Sequence, residues 1–293
     1  MSGSGVVILG ARSWVGFRLV QAFAEKSISV IGTTSSPLEV IPAAVRAMPQ
    51  LEIARGIHEF TALIRRQRPN VVFNLLRGEN VDGLQVHAQI ARLCAELGSR
   101  YVYASSALVF EGHPANLILD EAAQPNATTQ YGQFKAECER LLVNEYPQSD
   151  WQILRFTSIQ GWSPWKPSRN EAFLTRLSKG DNIDVNKGII QNRMLDLDFV
   201  RQVRDNALLA AARGVMHMGT DDASDETEFL CRVAVAFGWS ADHVRPSQMK
   251  NCHIALDCAR THALTGGRWR RTEAQTIQGL LSERGLAHLI ATT

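Results

Sequence analysis

The sequence predicts an α/β fold: a doubly wound parallel sheet with a smaller C-terminal domain. Short continuous apolar runs, beginning with Val6-Val7-Ile8-Leu9, alternate with helical stretches, as strands buried on both faces require. A glycine-bearing turn joins the first run to the first helix. Beyond Phe156 the alternation stops, which marks the change of domain.

The opening is the most informative local stretch. Gly10-Ala11-Arg12-Ser13-Trp14-Val15-Gly16 follows the first strand, and Phe17 to Glu25 has helical periodicity. Strand, glycine turn and helix in that order make a dinucleotide-binding, Rossmann-type opening, in which a pyrophosphate sits on amides at the helix N-terminus. Gly10, Arg12, Ser13, Trp14 and Gly16 are therefore candidate cofactor-binding residues. Ser13 stands where a G-x-x-G-x-x-G pattern places glycine, and its small hydroxyl is itself able to meet a phosphate oxygen.

Ser29 to Ser36 is the second strand and its exit, which puts Thr34 and Ser35 beside the cofactor. An NAD site usually carries a carboxylate here for the ribose 2′-hydroxyl. Its absence, with Arg12 nearby, favours NADP and leaves NAD possible; the other reading of Arg12 is a plain surface side chain. Pro37 opens a helix to Met48, Leu51-Glu52-Ile53 is a third strand, and Gly56 to Gln67 is a helix. Pro69 to Leu76 is the fourth strand, and Val81 to Leu97 a helix that Gly98 ends. Arg100 to Ser106 is the fifth strand, Thr129 to Tyr146 a helix, and Trp151 to Phe156 the sixth strand.

After Phe156, Gly161 to Pro167 is a loop holding Trp162 and Trp165, each of which either stacks on a ligand ring or packs. Asn170 to Ser178 is a short helix, two strands lie near Ile183 and Ile189, and Asp198 to Arg213 is a helix returning to the first domain. Gly214 to Gly219 is a strand, and Asp225-x-x-Glu228 predicts a capping box on a helix ending at Gly238. The predicted division is a nucleotide domain over 1–157, rejoined by about 190–218, and a smaller domain over 158–189 and 219–293.

Tyr131 and Lys135 are the predicted reactive pair. Four residues apart, they share a helix face, and an ammonium beside a phenol favours the phenolate. Ser106, at the end of the fifth strand, is placed to hold the oxygen on which a proton transfer acts. This is the equipment of a ketone reductase.

The 293 residues are 45% hydrophobic and 20% charged, enough for one large core or two unequal domains. A net charge of +2 gives no pull on nucleic acid or an anionic membrane. The cluster Arg268-Trp269-Arg270-Arg271 reads as a solvated helix start. No apolar run is long enough to span a bilayer, and Met1 to Gly5 lacks the features of a signal peptide. Cys94, Cys138, Cys231, Cys252 and Cys258, without a C-x-x-C pair, read as reduced residues of a cytoplasmic protein. No metal-ligand cluster is visible.

These residues resemble the extended short-chain dehydrogenase/reductase family, and within it the dTDP-4-dehydrorhamnose reductases. The resemblance covers nearly the whole chain. It rests on Gly10 to Gly16, Arg68 to Asn74 ahead of Val81-Asp82, Ser105 to Gly112, Tyr131 to Glu139, Leu154-Arg155, and Ala255 to Arg260. It implies Tyr131 as general acid, Ser106 as the group holding the substrate oxygen, and Lys135 as the residue that binds the nicotinamide ribose and lowers the Tyr131 pKa. It further implies Asn74 at the cofactor, Ala107, Trp162 and Arg193 at a nucleotide-linked keto-deoxysugar, NADP as cofactor, and a homodimer through the helices beginning near Val81 and Thr129. Leu75-Leu76-Arg77 stand where relatives carry small alanines, and His87 where an asparagine is common; His87 is either a proton relay or a packed histidine.

Two other readings remain. One is a sugar-nucleotide epimerase or dehydratase with tightly held NAD. The other is a non-catalytic binding module, since the regulatory subunit of methionine adenosyltransferase resembles the same reductases.

Overall fold

In the computed structural model the described residues are 5–36, 46, 48, 50–78, 80–114, 117, 119–163 and 167–283. Apart from Arg46 and Met48, the helix predicted from Pro37 lies outside them, as does Trp165. The chain divides into two compact units: Met1–Val109, Ala127–Arg155 and Val200–Met216 form unit 1, and Phe110–Asn126, Phe156–Phe199 and His217–Thr293 form unit 2.

Unit 1 is built on parallel strands. β1 (Val6–Leu9), β2 (Val30–Thr34), β3 (Leu51–Ile53), β4 (Val71–Asn74), β5 (Arg100–Ala104) and β6 (Trp151–Phe156) join β10 (Gly214–Met218) in a seven-stranded sheet ordered β10-β6-β5-β4-β1-β2-β3. β1 lies between β2 and β4, paired in parallel with both. The strand order therefore reverses beside β1, and the loops leaving β1 and β4 flank a switch point, where such sheets bind ligands. The helices are α1 (Trp14–Ala24), α2 (Ile57–Gln67), α3 (Val81–Leu97) and α4 (Gln130–Glu145). Asn80 caps α3 by accepting from the Gly83 amide at 2.8 Å, and Gly98 ends it in the left-handed region at φ +67°, as its sequence position predicts. The core joins Val7, Leu9 and Val72 of the sheet to Ile64 of α2, Ile90 and Leu93 of α3, and Leu142 of α4.

Unit 2 differs from its sequence reading in several places. α5 (Arg169–Ser178) opens with a Ser168/Glu171 capping box. β7 (Ser158–Gln160) pairs in parallel with β9 (Arg193–Leu195). The two strands expected near Ile183 and Ile189 are one, β8 (Ile183–Gln191), which passes Gly188 at φ +84°. A side chain at Gly188 would come within 2.4 Å of the Lys250 carbonyl, so only glycine lets the strand continue there. β8 is the centre of a three-stranded sheet with β11 (Ser224–Asp225) and β12 (Val244–His253). β12 carries no apolar alternation and shows seven exposed residues after Val244, an edge-strand pattern that hides it from sequence reading.

α6 (Asp196–Leu208) stops five residues before Arg213, the predicted end. Within unit 1, the buried Arg100 guanidinium donates to the Ala207 and Leu209 carbonyls at 2.9 and 2.8 Å, and Gln152 donates to that of Asn206 at 2.9 Å. Side chains thus take over the carbonyls that a longer helix would have used. α7 (Glu226–Ala236) starts at Asp225, but the predicted capping box with Glu228 does not form. Asp225 accepts from the Thr227 amide at 2.8 Å, and its other oxygen takes the Gly188 amide at the β8 bend. α8 (Ala259–Leu264) and α9 (Glu273–Ser282) complete the unit, α9 through a Thr272/Gln275 capping box. Trp162, Leu177, Ile183, Phe229, Val233 and Ile277 form the unit 2 core. Among the described residues, no helix is long and apolar enough to cross a membrane.

Candidate active site

The glycine turn after β1 is closed from within. Gly10 has φ +87°, and its amide meets Thr33 Oγ1 at 3.2 Å. A β-carbon on Gly16 would lie 2.6 Å from the Gly10 carbonyl and 2.8 Å from the Ala11 α-carbon, so that position accepts glycine only. Ser13 is the N-cap of α1: its hydroxyl accepts from the Gly16 amide at 3.1 Å and donates to the Gly10 carbonyl at 2.9 Å. The serine in place of glycine therefore ties the turn to itself, and its proton is committed inside the turn.

A cavity of about 260 Å³ borders this turn, lined by Gly10, Arg12, Ser13, Thr33 to Ser35, Ala54 and Leu75 to Arg77. No carboxylate is in the lining, and Trp14 is not part of it. Arg12 donates through Nη1 to Ser36 Oγ, and Thr34 Oγ1 accepts from the Ser36 amide at 3.2 Å, which folds the β2 exit towards Arg12. A second cavity of about 300 Å³ shares Ser35, Leu76 and Arg77 with the first and adds Arg55, Asn74, His87 and Tyr103. Leu76 and Arg77 therefore border both spaces.

Asn74 anchors a buried polar chain. Its amide nitrogen donates to Tyr101 Oη at 2.7 Å, and its oxygen accepts from the Leu76 amide at 3.0 Å. Tyr101 Oη lies 2.8 Å from His87 Nδ1, and His87 Nε2 lies 3.0 Å from the Cys138 carbonyl. A carbonyl only accepts, so Nε2 carries the proton and Nδ1 accepts from Tyr101. Burial, helped by the nearby Lys135 charge and opposed by the bond to Cys138, lowers the His87 pKa from 6.5 to about 4. The ring is neutral at physiological pH with both nitrogens occupied, which makes it the packed histidine of the two alternatives.

The predicted pair Tyr131 and Lys135 lies at the end of β5. Lys135 is buried; its Nζ donates to the Ala104 carbonyl at 2.8 Å and lies 4.7 Å from the Tyr103 ring centre and 5.7 Å from that of Tyr131. Thr129 caps α4 through the Gly132 amide at 3.2 Å, fixing the turn that carries Tyr131. Ser106 leaves β5 into a 3-10 turn over Ala107–Phe110; its Oγ accepts from the Leu108 amide at 3.2 Å, a bond that does not use the hydroxyl proton. Ala107 is completely buried.

Sequence reasoning missed the support beneath this set. Glu139, one turn beyond Lys135, accepts from Ser105 Oγ and forms a buried ion pair with Arg155 at 2.6 Å. The spacing Tyr131, Lys135, Glu139 is a single helix stripe, the signal that would have found it. Arg55, which lines the second cavity, was missed too.

Trp162 and Arg193 belong to unit 2. Trp162 is buried in that core, donates to the Leu280 carbonyl at 3.1 Å and lies 6.5 Å from the Phe237 ring centre. Arg193 is 1% exposed and pairs with Glu273 at 2.9 Å. Its Nη1 also donates to the Gln191 and Ser224 carbonyls, and its guanidinium carbon lies 4.7 Å from the centre of the Phe229 ring. Its Nη2 has no partner, and burial lowers its pKa against the pull of Glu273.

The chain matches the family described as the RmlD substrate binding domain over residues 4–282. It is 22% identical over 281 residues to methionine adenosyltransferase 2 subunit beta of Bos taurus, covering 88% of this chain and 82% of that one. The same subunit of Mus musculus is 21% identical, with 92% and 85% covered. Among solved structures, dTDP-4-dehydrorhamnose reductase from Bacillus anthracis in complex with NADP superposes with a TM-score of 0.75 at 16% identity, covering 96% and 99% of the two chains. The dTDP-glucose 4,6-dehydratase of the same organism, in complex with NAD, gives 0.81 at 12% identity, with 95% of each chain covered. With the matched profile spanning nearly the entire length, the chain belongs to the RmlD substrate binding domain family, and through it to the extended short-chain dehydrogenases/reductases.

Proposed function

We propose that this protein is an NADPH-preferring reductase of the keto group of a nucleotide-linked deoxysugar, with unit 1 binding the cofactor and unit 2 serving the substrate. The observation that carries this reading is the convergence of Tyr131, the buried Lys135 and the β5 exit bearing Ser106. Two further findings support it: the matched family, and a solved neighbour that is a dTDP-4-dehydrorhamnose reductase in complex with NADP.

The residues around the glycine turn fit a dinucleotide. The turn is shaped for close backbone approach, the adjoining cavity has no carboxylate, and Arg12 stands at the β2 exit to meet a 2′-phosphate. Gly10, Thr34 and Ser35 line that cavity, Asn74 lines the second one, and Gly16 packs inside the turn. When bound, the nicotinamide supplies the hydride. The protein's own residues do the rest: the Ser106 hydroxyl donates a hydrogen bond to the ketone oxygen, Tyr131 delivers its phenolic proton to that oxygen as the carbon is reduced, and Lys135 holds the ribose and steadies the phenolate left behind. Trp162, Ala107 and Arg193 have no part in this proposal, because each is buried in packing or pairing.

A specific observation favours a second reading, a nucleotide-binding regulatory subunit. Ser13 closes the turn on itself, Leu76 and Arg77 border both cavities, and the curated relatives are methionine adenosyltransferase beta subunits. Calorimetry with NADPH and NADH, followed by turnover of Tyr131→Phe on keto-sugar nucleotides, separates the two. NADPH binding tighter than NADH with turnover abolished in the variant supports the reductase; nucleotide binding without turnover in either form supports the subunit. Exposed Val81 on α3 and Val143 on α4 support the homodimer through these helices, which sedimentation of the wild type and of Val81→Lys tests.

A further inference from the structure

The two cavities of unit 1 meet at a common wall of Ser35, Leu76 and Arg77. The first, of about 260 Å³, also holds Gly10, Arg12 and Ser13, so a nucleotide whose pyrophosphate meets the glycine turn enters the space that Arg77 borders. Most polar groups around that space are already committed. Thr33 Oγ1 accepts from the Gly10 amide, Thr34 Oγ1 accepts from the Ser36 amide, Ser13 Oγ is tied within the turn, and Arg12 donates to Ser36. Ser35 and Arg77 are different. Both are exposed, and among the described residues neither has a hydrogen-bond or ion-pair partner.

The charge balance points to what this wall takes. Arg12 and Arg77 line the first cavity, and none of its described lining residues is a carboxylate. In the second cavity Arg55 and Arg77 face Asp82. Both spaces therefore favour an anion at the wall they share. A phosphate monoester carries about −1.5 to −2 charges at neutral pH and offers three acceptor oxygens. One guanidinium fork engages two of those oxygens. Arg12, with one N–H already given to Ser36, leaves an oxygen and part of the charge to a second set of donors, and the uncommitted Arg77 and Ser35 supply it. NADP differs from NAD by just such a monoester, on the adenosine ribose.

We infer that Arg77, with Ser35, is the second half of the 2′-phosphate site, so that the arginine bordering both cavities selects NADP over NAD instead of narrowing the site. The inference rests on the cofactor reading of unit 1 and adds to it a selectivity residue from the β4 exit. Calorimetry of the full chain with NADPH, NADH, adenosine 2′,5′-bisphosphate and AMP tests it without any turnover. Arg77→Ala is expected to weaken NADPH and the bisphosphate about tenfold and to leave NADH and AMP within about twofold. Arg77→Lys, which keeps the charge and loses the fork, is expected to fall between Arg77→Ala and the wild type. The position is exposed, so neither change removes packing from the core. Equal weakening of all four ligands overturns the inference, because the loss would then be unrelated to the 2′-phosphate. Tighter binding of NADH and AMP by Arg77→Ala overturns it too, and would make Arg77 an obstruction. A wild-type preference for NADPH that neither variant moves overturns the inference and leaves the cofactor reading standing; a wild type that binds neither dinucleotide overturns both.

Discussion

Each unit buries an arginine–glutamate pair, and the two pairs have the same chemistry in different surroundings. Arg155 grips Glu139 with both Nε and Nη2, and Glu139 also accepts from Ser105. The pair ties α4, one turn beyond Lys135, to the strands that deliver Ser106 and Arg155. Arg193 meets Glu273 through Nη1 alone and leaves Nη2 buried without a partner. Glu273, however, also accepts from Ser224 at 2.6 Å and pairs with Arg232. Each carboxylate keeps a serine donor when its arginine leaves, but only Glu273 also keeps a second arginine. A buried ion pair is thus read from what remains when one partner leaves, more than from its distance.

The sharpest test separates the reactive face from the frame beneath it. On the proposed mechanism, Tyr131→Phe lowers kcat by about 10²–10⁴-fold while nucleotide affinity and melting temperature stay unchanged, because only the proton donor is lost. A variant that also melts early would place Tyr131 in the frame. Next, Glu139→Gln removes the carboxylate that pairs with the buried Arg155 charge. It is expected to cost about 3–5 kcal/mol in urea unfolding, with a loss of activity that follows from moving Lys135. An unchanged unfolding midpoint would remove the first half of the comparison.

The buried His87 chain tests the same frame through pH. Its folded pKa of about 4 lies below the unfolded 6.5, so the unfolded chain takes up the proton first as pH falls. Its contribution is complete above pH 6.5 and is lost progressively down to about pH 4, reaching about 3 kcal/mol from the 1.36 kcal/mol carried by each pKa unit. Unfolding measured across this window should slope less steeply in His87→Gln than in the wild type; equal slopes would mean that the ring is not held neutral. The smallest effect belongs to Arg193→Met, expected to cost about 1–3 kcal/mol because Glu273 keeps Arg232 and Ser224. A larger cost than that of Glu139→Gln would reverse the ranking. Nucleotide-sugar affinity lost at unchanged stability would return Arg193 to ligand binding.

The reach of sequence reading follows from the range of the interactions involved. The glycine turn, the Gly98 stop and the Tyr131/Lys135 stripe are local: each is set by residues a few positions apart, and each is found where the spacing puts it. The failures are contacts over long separations. α6 ends at Leu208 because Arg100 and Gln152, more than fifty residues upstream, take its carbonyls. β12 exists because β8 offers it an edge, and its own polar pattern gives no sign of a strand. The Asp225 capping box fails because its second oxygen goes to Gly188.

The sequence by itself determined the parallel sheet, its glycine turn and the placing of Tyr131 and Lys135 on one helix face, since strand burial, glycine sterics and helical periodicity act within one element. Only the tertiary structure decided which charged side chains are frame and which face open space. Arg193, Glu139, His87 and Arg77 look alike as isolated letters. Their roles depend on which distant partners burial brings to each polar atom, and on which atoms it leaves without one.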